Sequence, residues 1–135
     1  MSFIDRVRNH FSDSENNDIW NKASELGDVE TILQKSNEKP QLIYKHSHRC
    51  SVCFLAKEEL EGVADEINDI ADLYMVNVIH ERDLSNRIAS ELNVRHESPQ
   101  VIIVKDREVR WKGSHWEVKG DEIWKSIRNH CNVNE

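Results

Sequence analysis

Two cysteines three residues apart, in the run Cys50-Ser-Val-Cys53, are the residues of this 135-residue chain best suited to chemistry. They stand where the strand-like run Gln41-Leu-Ile-Tyr-Lys45 gives way to a helical pattern. Cys50 is therefore expected at a helix N-terminus, where unpaired N–H groups and the macrodipole favour an anion. Such a position lowers a thiol below its free pKa of about 8.5 and exposes a thiolate nucleophile. His46, His48 and Arg49 add donors and positive charge just upstream. One turn further on, Cys53 is near enough to pair with Cys50. The chemistry expected is thiol–disulfide exchange, with Cys50 attacking and Cys53, held deeper, resolving the mixed disulfide. Cys50 should be the most acidic and most exposed of the three cysteines.

The same spacing serves structural zinc sites. Zinc would need two further ligands, and no second CxxC or HxxxH follows. Cys131 and the scattered histidines could supply them only through tertiary proximity. A metal carrier using Cys50, Cys53 and His46 or His48 is one alternative, and a non-enzymatic binding module is another. Cys131 follows Ile123 and Ile127 at a spacing of four, which makes it a small hydrophobe on a buried helix face.

The elements that must position the cysteines follow from periodicity. Ile19 to Ala23 reads as a short strand. Gly27-Asp28 opens a helix carrying Val29, Ile32 and Leu33 and ending before Pro40. After Cys50, the residues Ala56, Leu60, Val63 and Ile67 recur at four, three and four, with Glu58, Glu59, Glu61, Asp65 and Glu66 toward water. Leu73 to Ile79 is a nearly continuous apolar strand, covered on both faces. Asp83 can cap a helix bearing Leu84, Ile88 and Leu92. After the loop Asn93–Ser98 and Pro99 comes the strand Val101–Val104. A Lys105–Glu108 turn leads to Val109–Trp111, and a last helix starts near Asp121 with Ile123, Trp124 and Ile127 inward. The order β-α-β-α-β-α-β-β-α implies a parallel sheet with helices on its faces and antiparallel strands added by the late hairpin. That is an α/β, thioredoxin-like fold with a central mixed sheet.

In this layout a proline just before the third core strand is typically cis and lies against the active cysteine, so Ser98-Pro99 is expected to be cis. It would present the Ser98 backbone to an extended substrate by strand addition. The loop Gly113-Ser-His115 should border the cysteine pair, with His115 a candidate for substrate contact or proton transfer. Trp20, Trp111, Trp116 and Trp124 read as core or rim packing.

Composition bounds the rest. The length suits one domain, and 38% hydrophobic with 32% charged residues is ordinary for a globular chain. A net charge of −7 argues against nucleic-acid or anionic-membrane partners. No run has the length of a secretory signal or a membrane span. An odd cysteine count without such a signal points to the reducing cytoplasm. Phe3, Ile4, Val7 and Phe11, followed by a polar stretch to Asp18, read as an N-terminal amphipathic extension and linker over residues 1–18, with the domain over 19–135.

The runs Lys45-His-Ser-His-Arg-Cys50, Asn86-Arg-Ile-Ala89, His96-Glu-Ser-Pro-Gln100 and Ser114-His115 together resemble the YtxJ-type bacilliredoxins over about residues 19–128. The resemblance implies a thioredoxin fold and a role in bacillithiol redox metabolism, reducing mixed disulfides between proteins and that low-molecular-weight thiol. It implies Cys50 as attacking cysteine, Pro99 as the cis-proline, and Ser98 and His115 as substrate-lining residues. Many members carry serine or another residue in place of Cys53, which suggests monothiol chemistry there, whereas a dithiol route is open here. The strand before the motif also lacks the acidic residue by which thioredoxins accept a proton; Tyr44 occupies that region.

The reading that results is a thiol–disulfide oxidoreductase with Cys50 and Cys53 catalytic. His48, Arg49, Ser98, Pro99, Gly113 and His115 line the substrate. No cofactor or metal is called for. Its partners are protein disulfides or mixed disulfides with a small thiol, and an upstream reductase or thiol as electron donor.

Overall fold

The computed structural model describes residues 19–26 and 28–131. The extension and linker expected over residues 1–18 lie outside the described residues.

The sheet is built around one strand that is buried along its whole length. β2 (Gln41–His46) lies between β3 (Asp72–Asn77), parallel to it, and β4 (Gln100–Lys105), antiparallel to it. β5 (Glu108–Ser114) extends the sheet beyond β4, and the two-residue β1 (Asn21–Lys22) extends it beyond β3, in the order β1-β3-β2-β4-β5. The β4–β5 hairpin turns on Asp106 and Arg107, both at positive φ, as a tight two-residue turn requires.

Helices cover both faces. On one side α2 (Ser51–Gly62), α3 (Ala64–Asn68) and α5 (Gly120–His130) pack Ala56, Leu60, Ile67, Ile123 and Ile127 against Leu42, Tyr44, Val101 and Ile103. On the other, α1 (Val29–Lys35) and α4 (Arg82–Leu92) pack Val29, Ile32, Leu84 and Ile88 against Ile43, Val76, Ile102 and Val104. The period-two alternation of β2 thus sends Leu42 and Tyr44 to one core and Ile43 to the other. Cys131 is buried in the first core, as its spacing predicts.

Several local expectations give way to packing. The expected strand Ile19–Ala23 shrinks to two residues, and the chain turns into a 3₁₀ segment at Ala23–Leu26. The helix expected to run through Ile67 breaks at Val63, whose φ of −119° and ψ of 10° leave the helical region. The apolar spacing continues across the break, so periodicity could not reveal it. Asp83 lies inside the first turn of α4 rather than at its cap. The N-cap is Glu81, whose Oε1 accepts from the Asn77 N–H at 2.8 Å. Glu61 does not face open water: its Oε2 accepts from Trp20 Nε1 at 2.9 Å and pairs with Lys57 Nζ at 3.4 Å. Trp20, Trp111 and Trp124 pack against the first core, but Trp116 is 64% exposed.

Gly120, the first residue of α5, sits where α5 meets α2. A Cβ there would lie 2.7 Å from the Glu59 carbonyl oxygen and 3.1 Å from Val63 Cγ1. Backbone cannot step aside as a side chain can, so Gly120→Ala is expected to destabilise the fold by about 1–3 kcal/mol despite alanine's helix propensity. Urea unfolding checks this, and an unchanged midpoint would show that α5 shifts freely.

Candidate active site

The cysteines lie where β2 ends and α2 begins. Beyond His46 the chain makes a short turn in which Cys50 N–H donates to the Ser47 carbonyl at 3.4 Å and Arg49 N–H to Ser47 Oγ at 3.3 Å. Cys50 is extended, at φ −120° and ψ 117°, and is the N-cap of α2. Its Sγ accepts from the Cys53 backbone N–H at 3.3 Å, the capping bond that a serine or aspartate oxygen usually accepts.

The two thiols differ in exposure. All three cysteines are free; Cys50 is half-buried, while Cys53 and Cys131 are buried. Burial pushes the Cys53 thiol up to about 11, and the neighbouring Cys50 adds to this, while the Ser98 hydroxyl and the Ser47 backbone work against it. Ser98 Oγ lies 3.5 Å from Cys53 Sγ. Burial also raises Cys131.

Beneath the turn is a polar pairing of Tyr44 with His46, and His46, expected to add positive charge beside Cys50, is instead buried and neutral. The Tyr44 hydroxyl donates to the Cys53 carbonyl at 2.7 Å and lies 2.8 Å from His46 Nδ1. A hydroxyl has one proton, and the carbonyl can only accept. The second contact must therefore run from His46 Nδ1–H to the tyrosine oxygen, which fixes the tautomer of a neutral imidazole. Burial lowers His46 to about 4, helped by His48 and Lys57, and burial likewise drives the Tyr44 hydroxyl far above its ordinary range. Tyr44 and His46 are two apart on one strand, so they share a face; that alternation is the signal that could have paired them.

The opposite face of β2 carries a second unforeseen group. Lys45 is fully buried, and its Nζ donates to the Ser85 carbonyl at 3.0 Å and lies 3.1 Å from His96 Nδ1. Burial lowers it to about 8. The contact ties α4 and the loop before Pro99 to the strand that carries the cysteines.

The Ser98–Pro99 bond is cis, and the Ser98–Cys53 contact sets this loop against the cysteine turn. The Pro99 carbonyl accepts from the His115 N–H at 3.0 Å, and His115 Nδ1 faces Glu97 Oε2 at 3.5 Å. His115 holds a left-handed φ of 55°. Gly113 is not in a loop. It pairs with Val101 inside β5, and a Cβ there would come 2.4 Å from the Trp111 ring, so glycine makes room for the indole. His48 and Arg49 are exposed on the turn, with the His48 ring edge-on to His46 at 5.4 Å. Glu97 and Trp116 were missed by sequence reasoning. Trp116 and Leu55, with Val52, His115 and Lys119, line a hollow of about 150 Å³ on the flank of α2. Phe54, Leu55 and Trp116 are the large hydrophobic side chains left exposed among the described residues. Also among the described residues, no three His, Cys, Asp or Glu side chains gather to hold a metal ion, and no helix is long and apolar enough to cross a membrane.

Residues 21–123 match the family model described as monothiol bacilliredoxin BrxC. A solved thioredoxin-fold protein assigned as an oxidoreductase is 29% identical with a TM-score of 0.63, over 73% of this chain and 87% of that one. Thioredoxin from Malassezia sympodialis is 19% identical with a TM-score of 0.59, over 77% and 86% of the two chains. Thioredoxin from Fasciola hepatica is 18% identical with a TM-score of 0.57, over 76% and 90%. The last two are similar in fold alone.

Two expectations follow. At pH 8, iodoacetamide should modify Cys50 first, because Cys53 and Cys131 are buried and raised; peptide mass mapping against time checks the order, and equal labelling of Cys131 would contradict it. The second concerns acid stability. An imidazole that titrates near 6.5 when unfolded but near 4 when folded contributes stability above pH 6.5 that is lost as pH falls toward 4. Urea unfolding should therefore weaken more steeply across that window in wild type than in His46→Gln, and parallel curves would refute a neutral His46.

Proposed function

The chain belongs to the monothiol bacilliredoxin family and is a thiol–disulfide oxidoreductase, and from that premise we propose that it reduces mixed disulfides between proteins and a low-molecular-weight thiol. Cys50 is the nucleophile and Cys53 the resolving thiol. The observation that supports this reading is the capping bond from Cys53 N–H to Cys50 Sγ, which sets a half-exposed sulfur at the start of α2 with its neighbour one turn behind.

The Cys50 thiolate attacks the sulfur of the small thiol in the mixed disulfide. A Cys50–small-thiol disulfide forms, and the protein sulfur leaves as a thiolate that takes up a proton. Cys53 then attacks Cys50 Sγ and the small thiol departs, leaving a Cys50–Cys53 disulfide. An external thiol or an upstream reductase returns that disulfide to the dithiol. The exposed Phe54, Leu55 and Trp116 beside the motif support a polypeptide as the bound partner, since apolar surface of this kind suits protein contact. In this reading His48, Arg49 and His115 offer donors at the rim. Ser98 and Pro99 form the opposing wall, and Gly113 acts from within β5 by letting Trp111 pack close.

A second reading, a functionally monothiol enzyme, is favoured by the family's own description and by the burial of Cys53. The variant Cys53→Ser separates the two. In the dithiol route it should retain the small thiol on Cys50 as a mass adduct that wild type releases. With external thiol supplied, its turnover should fall about tenfold or more, because a neighbouring thiol attacks at high effective concentration. Equal turnover, with the adduct on Cys50 held alike by wild type and Cys53→Ser until external thiol removes it, would decide for the monothiol enzyme.

A further inference from the structure

Cys53 must become an anion before it can attack, yet its side chain has no exposure to water. An anion formed there needs a donor supplied by the protein. The Tyr44 hydroxyl is committed to the Cys53 carbonyl and to His46, and Lys57 is paired with Glu61. Among the described residues Ser98 Oγ, 3.5 Å from Cys53 Sγ, is the side-chain hydroxyl that reaches the sulfur itself, beside the Ser47 backbone that also favours its anion.

We propose that Ser98 is a catalytic residue of the second step, donating its hydroxyl proton as a hydrogen bond to the Cys53 sulfur as that sulfur becomes an anion. The proposal rests on Cys53 being the resolving thiol. In the resting thiol state either atom can donate, and the contact is an ordinary weak one. Once Cys53 has lost its proton only the hydroxyl can donate, and the bond becomes charge-assisted. The interaction is therefore stronger in the reacting state than in the resting state, which is the condition for it to accelerate the step.

The loop keeps the hydroxyl in place without borrowing from the substrate. Pro99 is held by His115 N–H, Gln100 is paired in β4, and His96 is bound to Lys45. In the step itself the Cys53 Sγ–Cys50 Sγ bond forms and the bond from Cys50 to the small thiol breaks. The electron pair goes to the departing sulfur, which takes up a proton equivalent to the one Cys53 lost. Ser98 keeps its own proton throughout. The pull that the Ser98 contact exerts on Cys53 against its burial agrees with this direction.

The test uses dithiobis(nitrobenzoate), an aromatic disulfide whose released thiolate is read by absorbance. Attack by Cys50 releases one equivalent, and resolution by Cys53 releases a second. Ser98→Ala should slow the second phase about tenfold more than it slows the first, the scale of one hydrogen bond to a charged group. Ser98→Thr, which keeps the hydroxyl, should hold the second phase within about threefold of wild type. In a Cys50→Ser background, Ser98→Ala should also move the pH midpoint of Cys53 alkylation upward. If Cys53→Ser loses the second phase while Ser98→Ala keeps it at the wild-type rate, the role of Ser98 is overturned and the resolving thiol stands. If wild type and Cys53→Ser behave alike, the resolving role itself is overturned. Equal slowing of both phases in Ser98→Ala would mark a displaced loop and also overturn the proposal.

Discussion

β2 is sealed on both faces and hydrogen-bonded along both edges, so nothing along its length can shift without opening two cores. Its C-terminal end is where the chain first escapes burial, and the reactive turn is placed there. The sheet switches there from parallel pairing with β3 to antiparallel pairing with β4, and loops from several elements converge on the strand ends. A half-exposed Cys50 on such a base meets solvent while its position is set by the core.

Burial of β2 creates the need for the polar pairs that flank it. Tyr44 and His46 on one face and Lys45 on the other cannot reach water, and each is satisfied by a backbone carbonyl, a hydroxyl or an imidazole rather than by a carboxylate. These bonds tie the strand outward, Tyr44 to the first turn of α2 and Lys45 to α4 and the His96 loop. Leaving any of these groups buried and unpaired would cost more than its bond contributes, so the networks define positions more than they add stability. The buried Lys45 has no acid beside it; the Ser85 carbonyl and His96 meet its Nζ, and burial lowers it to about 8. Burial, Lys45 and Arg82 all keep His96 low, against the weaker opposing pull of Glu97.

The two active-site thiols share one helix turn but not one environment. Cys50 caps the helix and meets solvent, and Cys53 lies beneath it against Ser98. That asymmetry leaves the Cys50 sulfur open to a partner from solvent and shields the Cys53 sulfur from it. The family is described as monothiol, and this chain carries a second sulfur, Cys53, buried one turn from the first.

By itself the sequence determined what local periodicity and local chemistry can express. The strand-to-helix switch at Cys50, the order of elements and the Ser98-Pro99 step before β4 were all legible, because each depends on residues a few positions apart. Cys131 was legible for the same reason. What only the tertiary structure decided lies between residues far apart in the chain. Lys45 reads as an ordinary strand residue until Ser85, 40 positions away, and His96, 51 away, close over it. Glu61 reads as solvent-facing until Trp20 reaches it from 41 positions away. Trp116 reads as core or rim packing and lies 64% exposed, and Gly113 reads as loop but pairs with Val101 in β5, where the absence of a Cβ makes room for the Trp111 ring. The helix break at Val63 is hidden because the apolar spacing continues through it. Periodicity reports which face of an element is buried; which partner meets that face, and which polar group is trapped with it, is fixed only when the layers pack.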